Sequence, residues 1–332
     1  MNYEIFKEIV AEQFLSFMPP EFANHTVEIR PVKKVNQTLD GLTLLPPEGA
    51  GGKAHPTIYL NHIYEDYQKK DDVKATLKEV ARQLTEIYDK GELNISSFTP
   101  ENFKNRVVMM LINTEQNQEL LKDIPNRPFR DLSIVYRYLV GMEEDEIQTT
   151  LVTDSLAKHM GMSEQEIYEA ATLNTYRLFT PVVKTMNDVI RDMFISDGME
   201  PGLADMMVGE IPPENGMYVI TNERGIHGAV SMLYEKELQK LAGQLDSDLY
   251  IMPSSVHEVI AVSSKMGDPY ELAEMVAEIN MTQVQLDERL SNQVYHYDKD
   301  LRKITLATDT PNKRLDGMVA EPSLIYEEKR SR

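Results

Sequence analysis

The chain contains no cysteine. That absence excludes disulfides, thiolate metal sites, iron–sulfur clusters and a cysteine nucleophile. It also removes any sign of an oxidising compartment, so the Asn-x-Thr/Ser triplets at Asn24, Asn36, Asn94 and Asn280 read as chance and the cytoplasm is the expected location. No apolar run approaches the roughly 18 residues needed to cross a bilayer. The first residues alternate acids with apolar side chains instead of placing a basic end before an apolar block, which is not the pattern of a signal peptide.

Basic residues are also scarce. With 34 lysines and arginines against 54 acids, the net charge is −20. Such a surface repels phosphate backbones and anionic lipid, so general nucleic-acid binding is disfavoured and protein partners are the expected class. Mimicry of DNA against host defence proteins is an alternative that needs the acids in regular stripes. A solvated acidic surface that maintains solubility is the plainer reading. The 19 methionines read mainly as core filler, with an adaptable contact surface as the second reading.

The loop Pro46–Lys53 contains Gly-Ala-Gly-Gly-Lys, which resembles a phosphate loop and fails in detail. Pro47 stands where a glycine is required and Ala54 where a hydroxyl is required. A dinucleotide fingerprint starting at Gly49 fails likewise at Ala54. No cofactor is expected.

Periodicity supplies most of the organisation. Phe6, Ile9, Val10, Phe14 and Phe17 form a helical stripe over residues 3–17, stopped by Pro19-Pro20. Strands are expected at Val27–Val32 and Leu42–Leu45 around a turn at Asn36–Gly41, and a strand at Pro56 runs towards a helix near Tyr67. Residues 72–90 are a clear helix, and Thr99-Pro100 starts another. Val107–Ile112 and Leu132–Val140 read as strands, joined by a polar loop, Asn113–Asp131, that faces a partner or carries function. Ile147–Val152 is a short strand, and Ser163-Glu-Gln-Glu166 is a capping box opening a helix to about Leu178. Thr180-Pro181 and Gly198–Pro201 punctuate the middle of the chain.

Further on come a strand at Met217–Thr221, a helix from Ala229 to Leu245 and a hairpin over Leu249–Val262. A helix opened by Asp268-Pro269 and a last hairpin, Val294–Ala307, complete the pattern. The fold class is α+β, with mixed α/β as the alternative: hairpins and short strands in antiparallel or mixed sheets, with helices packed on them. Units 1–180 and 181–308 are expected, with a soft boundary near 180, and a loosely held tail over 309–332.

The hairpin at 249–262 is the main site candidate. Ser254, Ser255, His257 and Glu258 lie where the chain re-enters a near-continuously apolar strand, Val259–Val262. Ser255 and His257, two apart, resemble a nucleophile and base, but no Gly-x-Ser-x-Gly elbow accompanies them. Serines capping a turn and a histidine bonded to the backbone form the plainer account. His62 and Glu65, three apart, align only on a helix. A metal site would have to combine them with His257, against the simpler reading of a buried tyrosine-rich strand edge. Arg127, Arg130 and Arg137 with Tyr136 and Tyr138 make the one locally basic, aromatic region. It suits an anionic ligand or equally an ordinary strand with one wet face. Asp246 and Asp248 read as turn acids before a strand.

Three segments, Pro56–Tyr67, Ala170–Tyr176 and Leu249–Ile260, resemble in that order a domain-of-unknown-function family of clostridial and gut Firmicutes proteins. The resemblance spans nearly the whole chain, and Pro253-Ser-Ser-x-His-Glu258 is its most specific piece. The layout from Leu132 to Val262 is also similar, more weakly, to the YtpQ-like family of bacilli. The first resemblance implies a bacterial unit found beside mobile-element genes, and neither implies an activity, cofactor or catalytic residue. The expected function is therefore a non-catalytic cytoplasmic accessory or interaction protein of unknown specific role, with mobile elements as its setting. The rival is a hydrolase-like enzyme using His257 and Glu258 with Ser254 or Ser255.

Overall fold

The computed structural model describes residues 1–47, 55–89, 99–142, 147–209, 211–253 and 255–309. The backbone gathers into two compact units, Met1–Thr99 and Pro100 onward. Residue 180 lies inside the second. The expected tail from 310 onward, Ser254 and most of the Pro46–Lys53 loop lie outside the described residues.

In the first unit, helix α1 (Tyr3–Gln13) is capped by Asn2, whose side chain accepts from the Ile5 amide. Strands β1 (Thr26–Lys34) and β2 (Gln37–Leu45) form an antiparallel hairpin, and β3 (Thr57–Tyr59) pairs with β2. Helices α2 (Leu60–Lys70) and α3 (Val73–Asp89) follow. The turn is tighter than the expected Asn36–Gly41: Lys34 already pairs with Gln37, and Asn36 takes a left-handed φ of 58° that asparagine tolerates. Phe6, Val10, Leu42, Leu60, Leu77 and Leu84 meet in one core, as the helical stripes require.

The second unit opens with α4 (Pro100–Arg106), β4 (Val107–Asn113), α5 (Gln118–Leu121), β5 (Asn126–Phe129), β6 (Leu132–Met142) and β7 (Ile147–Leu151). Then come α6 (Asp154–His159), α7 (Glu164–Leu178), β8 (Pro181–Thr185), α8 (Met186–Ser196), α9 (Pro201–Val208) and β9 (Tyr218–Asn222). A 3₁₀ segment (Gly228–Leu233), α10 (Glu235–Leu245), β10 (Leu249–Met252), β11 (Val259–Ser263), α11 (Pro269–Thr282), β12 (Tyr295–Asp298) and β13 (Lys303–Leu306) complete it.

β4, β5 and β7 all pair with β6, and a second sheet runs β13-β12-β10-β11-β9-β8. Every strand pair among the described residues is antiparallel. The fold is α+β, and the mixed alternative falls away.

Two expected elements change. The supposed loop Asn113–Asp131 contains α5 and β5, so part of its backbone is held in a short helix and a sheet strand. The helix expected from Ala229 is a 3₁₀ segment followed, after extended Tyr234, by α10.

The segment Ala170–Tyr176 has a clear physical task. β4 is buried along its whole length and stands at the sheet edge, where its outward N–H groups need partners. α7 supplies one: Thr175 Oγ1 accepts from the Met109 amide at 2.8 Å and donates to Ala171 O. Asn174 Nδ2 donates to the carbonyls of Lys104 and Val107, both at 2.9 Å. The capping box at Ser163 and Glu166 fixes the start of the helix that carries these groups.

Candidate functional site

β10 and β11 form the expected hairpin, with Leu249 opposite Ser263 and Met252 opposite Ile260. Its connection is stitched to the segment around Leu290. Val256 donates its amide to Glu288 O, Ser291 to Pro253 O, and Ser255 bridges to Arg289. Ser255 Oγ accepts from the His257 backbone N–H at 3.0 Å, a hydroxyl turn.

The His257 ring is held at both nitrogens. Nδ1 accepts from the His227 backbone N–H at 3.3 Å, and Nε2 lies 3.3 Å from Glu288 Oε1. The first contact assigns the neutral ring's proton to Nε2. No hydrogen bond among the described residues joins the Ser255 hydroxyl to this ring, so the serine serves the turn. His257 and Glu258 sit in the bend before β11. Burial holds the Glu258 carboxyl above its usual range; His257 and Ser255 oppose that rise and Glu288 adds to it.

His227 is a residue that motif reading missed. Its ring stacks on His257 with centroids 5.8 Å apart and planes 10° from parallel. Asn222 sets the preceding turn, donating to Ile226 O and accepting from the Arg224 amide. His227 itself takes a left-handed φ of 51°. Gly228 follows because nothing larger fits: a Cβ there would lie 2.2 Å from Thr221 Oγ1 and 2.4 Å from His257 O. Those two atoms are hydrogen-bonded at 2.8 Å. Burial pushes the His227 imidazole down to about 3, with the charge of Arg137 and the neighbouring His257 adding to the effect. The buried Nδ1 of His227 has no hydrogen-bond partner among the described residues. A cavity of about 10 Å³, lined in part by Met109, Thr149, Thr175 and Asn222, lies beside the ring. That is room for about one water and no larger ligand.

The basic, aromatic region does not converge on one spot. Arg127 grips Glu164 through two nitrogens, at 3.1 and 2.8 Å, reaches Gln165 at 2.6 Å and lies 3.9 Å over the Tyr168 ring. The Tyr136 hydroxyl donates to the same Glu164. Burial alone would raise the Glu164 carboxyl, but Arg127 and Tyr136 outweigh it and hold it below the ordinary range. Arg130, at a left-handed φ of 59°, donates to Ile304 O. Arg137 donates to Thr149 Oγ1 at 2.6 Å and to its carbonyl, and burial lowers its guanidinium below the usual value. Arg127 therefore clamps β5 to α7, Arg130 touches β13 and Arg137 braces β7.

His62 and Glu65 lie one turn apart on α2, both exposed, so the strand-edge reading of this stretch gives way to a helix. His62 packs edge-on against Tyr59. No group of three His, Cys, Asp or Glu side chains among the described residues is placed to hold a metal ion. Asp246 and Asp248 are turn acids, Asp246 paired with Lys299 and Asp248 bonded to His296 and the Lys299 amide.

A second feature is the surface of α8 and α9, a stretch in which the sequence offers Pro181 and Gly198–Pro201 as punctuation. Met186, Val189, Ile190, Met193 and Phe194 recur at helical spacing; Met193 is exposed, the other four are half-buried, and no residue of α8 is fully buried. In α9 only Ala204 is buried. Met193, Leu203, Met206, Met207 and the nearby Ile211 are 53%, 50%, 82%, 63% and 52% exposed. Such a stripe ordinarily faces a core. The pair is tied together through Arg191 and Asp205 and by Asn187 donating to Gly209 O at 3.1 Å. A capping box at Thr185 and Asp188 starts α8. That Thr-x-x-Asp pattern and the following stripe were the signals available in the sequence.

These features define an α+β protein of two compact units, with antiparallel sheets, a histidine cluster locked into a turn, and a methionine-rich helix pair facing outward. The chain belongs to a family of unknown function, DUF5688, whose pattern matches residues 3–299. No curated protein and no solved structure matches it. No helix among the described residues is long and apolar enough to cross a membrane.

Proposed function

We propose that the chain is a non-catalytic cytoplasmic interaction protein that docks a protein partner on the outward face of α8 and α9. The exposure of Met193, Leu203, Met206 and Met207 on one helix pair carries this reading. Isolated apolar side chains on a surface need no explanation, but Leu203, Met206 and Met207 are exposed together at helical spacing on one short helix, which is a common sign of a contact face. Burying one such side chain contributes roughly 1.5–3 kcal/mol before ordering costs. Methionine suits the task because its unbranched, polarizable side chain repacks against differing shapes. The occupied nitrogens of His257 support the non-catalytic part, since neither is turned towards a hydroxyl of the described residues that it could deprotonate. A setting beside mobile elements belongs to the same proposal.

The test is site-specific photocrosslinking in the native host. A photoreactive residue at position 206 is expected to capture one dominant protein, and the same residue at the exposed position 62 is expected not to. Equal capture at both positions, or none at 206 with capture elsewhere, would move the interface away from α8 and α9.

A further inference from the structure

We infer that the occupant of the α8–α9 face is a basic amphipathic helix of the partner; this rests on the docking reading above. Three observations carry it. First, the face is made by two helices whose backbone groups bond internally. Recognition on the helices themselves therefore comes from side-chain packing, which a helix supplies through its own apolar stripe. α8 has 11 residues and α9 has 8, lengths of about 16 and 12 Å at 1.5 Å per residue. A ligand helix of three to four turns matches that span.

Second, the exposed side chains are mainly unbranched methionines, which adapt to a partner's stripe. Third, the helix pair is rich in acids. From Met186 to Gly209 there are five acids, Asp188, Asp192, Asp197, Glu200 and Asp205, against the single base Arg191. The whole chain has 54 acids to 34 bases. Lys184 answers Asp192, and Arg191 answers Asp205. Asp188, Asp197 and Glu200 form no ion pair among the described residues, although Asp188 and Glu200 also cap helix starts. Lysines or arginines flanking a ligand's apolar stripe would meet these three carboxylates. Anionic lipid, the other occupant of apolar helix faces, would be repelled by them.

The experiment uses the purified full chain and labelled 18-residue model peptides, read by fluorescence anisotropy at low and moderate salt. One peptide has leucines on one helical face and lysines on the other. The second replaces every lysine with glutamate, and the third scrambles the first. The leucine–lysine peptide is expected to bind at least tenfold more tightly than either control and to weaken as salt rises. Combined Met193→Gln, Met206→Gln and Met207→Gln substitutions are expected to reduce that affinity at least tenfold. Asp188→Asn with Asp197→Asn is expected to reduce it severalfold, because asparagine keeps the capping acceptor and loses only the charge. Circular dichroism of each variant confirms that the fold is retained.

Equal binding of the glutamate peptide, or binding indifferent to the methionines, overturns the proposal. So does comparable binding to phosphatidylcholine–phosphatidylglycerol vesicles through the same methionines. Binding that appears only after residues 310–332 are removed identifies this chain's own segment as the occupant and also overturns it. If photocrosslinking at 206 captures a partner through an acidic or non-helical segment, the docking reading stands and the basic helix falls. If no partner is captured at 206 and no peptide binds, both fall.

Discussion

His227 lies flat against His257 and donates its backbone N–H to Nδ1 of the same ring, so one histidine fixes the tautomer of the other. The relationship has a consequence for stability. The His227 imidazole is held at about 3 in the folded chain, first by burial and then by Arg137 and His257, whereas an unfolded histidine titrates near 6.5. Between those values the unfolded chain binds the extra proton, so acid favours unfolding. The contribution of a neutral His227 is complete above pH 6.5 and is lost as pH falls towards about 3. The slope from this one group approaches about 1.4 kcal/mol per pH unit. Urea unfolding at pH 7.5, 6.0 and 5.0 is expected to show it. In His227→Asn, where asparagine accepts the left-handed φ of 51°, that part of the slope disappears. Equal slopes in the two proteins would place the titrating group elsewhere.

Gly228 is expected to be intolerant of even one methyl group. An alanine Cβ would stand 2.4 Å from the backbone oxygen of His257 and 2.9 Å from the backbone nitrogen of Asn222, neither of which a rotamer change can move. Gly228→Ala should cost about 3 kcal/mol, the upper part of the range for overpacking. Thr221→Ala removes the nearest obstacle, the hydroxyl at 2.2 Å. Combined with Gly228→Ala, it should recover only part of the loss because the backbone contacts remain. Chemical denaturation of the single and double variants measures both. Full recovery would mean that the hydroxyl alone sets the constraint.

Glu164 is the shared acceptor of Arg127 and Tyr136 across β5, β6 and α7. Glu164→Ala strands both donors and should cost about 2 kcal/mol, within the range for a charged hydrogen-bond partner. Arg127→Lys keeps the charge but loses the two-pronged geometry and the stacking over Tyr168. It should cost about 1 kcal/mol. A double-mutant cycle with Glu164→Ala and Arg127→Ala should give a coupling near 1 kcal/mol. The sign with pH follows from the lowered carboxyl. Stability from Glu164 is present above the ordinary glutamate value and is lost as pH falls below it. A coupling unchanged between pH 7 and pH 3 would remove the charge from the account.

Local signals were legible wherever one short stretch carried the whole pattern. The α3 stripe, the Ser163 capping box, the Asp268-Pro269 start of α11 and the apolar run of β11 all became the elements their spacing implied. The His227–His257–Glu288 cluster was not legible, because it joins three distant segments and nothing in the spacing of any one names the others. His227 also hides in a turn whose partner is a backbone amide. The helix expected from Ala229 failed for a similar reason. Left-handed His227 and the close approach at Gly228 impose a 3₁₀ path that the continuous apolar pattern does not reveal. α8 and α9 were legible and overlooked: Pro181, Gly198 and Pro201 resemble loop punctuation, although Pro201 sits in the first turn of a helix, where proline is welcome.

That helix pair should also be among the less protected regular structures in the second unit. α8 buries no residue and α9 buries only Ala204, so little apolar contact is lost when they open. β10, β11 and β12, by contrast, are central strands carrying fully buried Leu249, Ile251, Val259 and Tyr295. Amides of residues 186–208 should therefore exchange with solvent deuterium at least a hundredfold faster than those of residues 249–263, through local opening and not global unfolding. The docked state predicts the reverse change: with the leucine–lysine peptide bound, protection should rise over 186–208 and stay constant in the sheet. If the free protein already protects α8 and α9 as strongly as β11, another surface covers the methionines in solution. A concentration series then separates a second copy, whose cover is lost on dilution, from an intramolecular one.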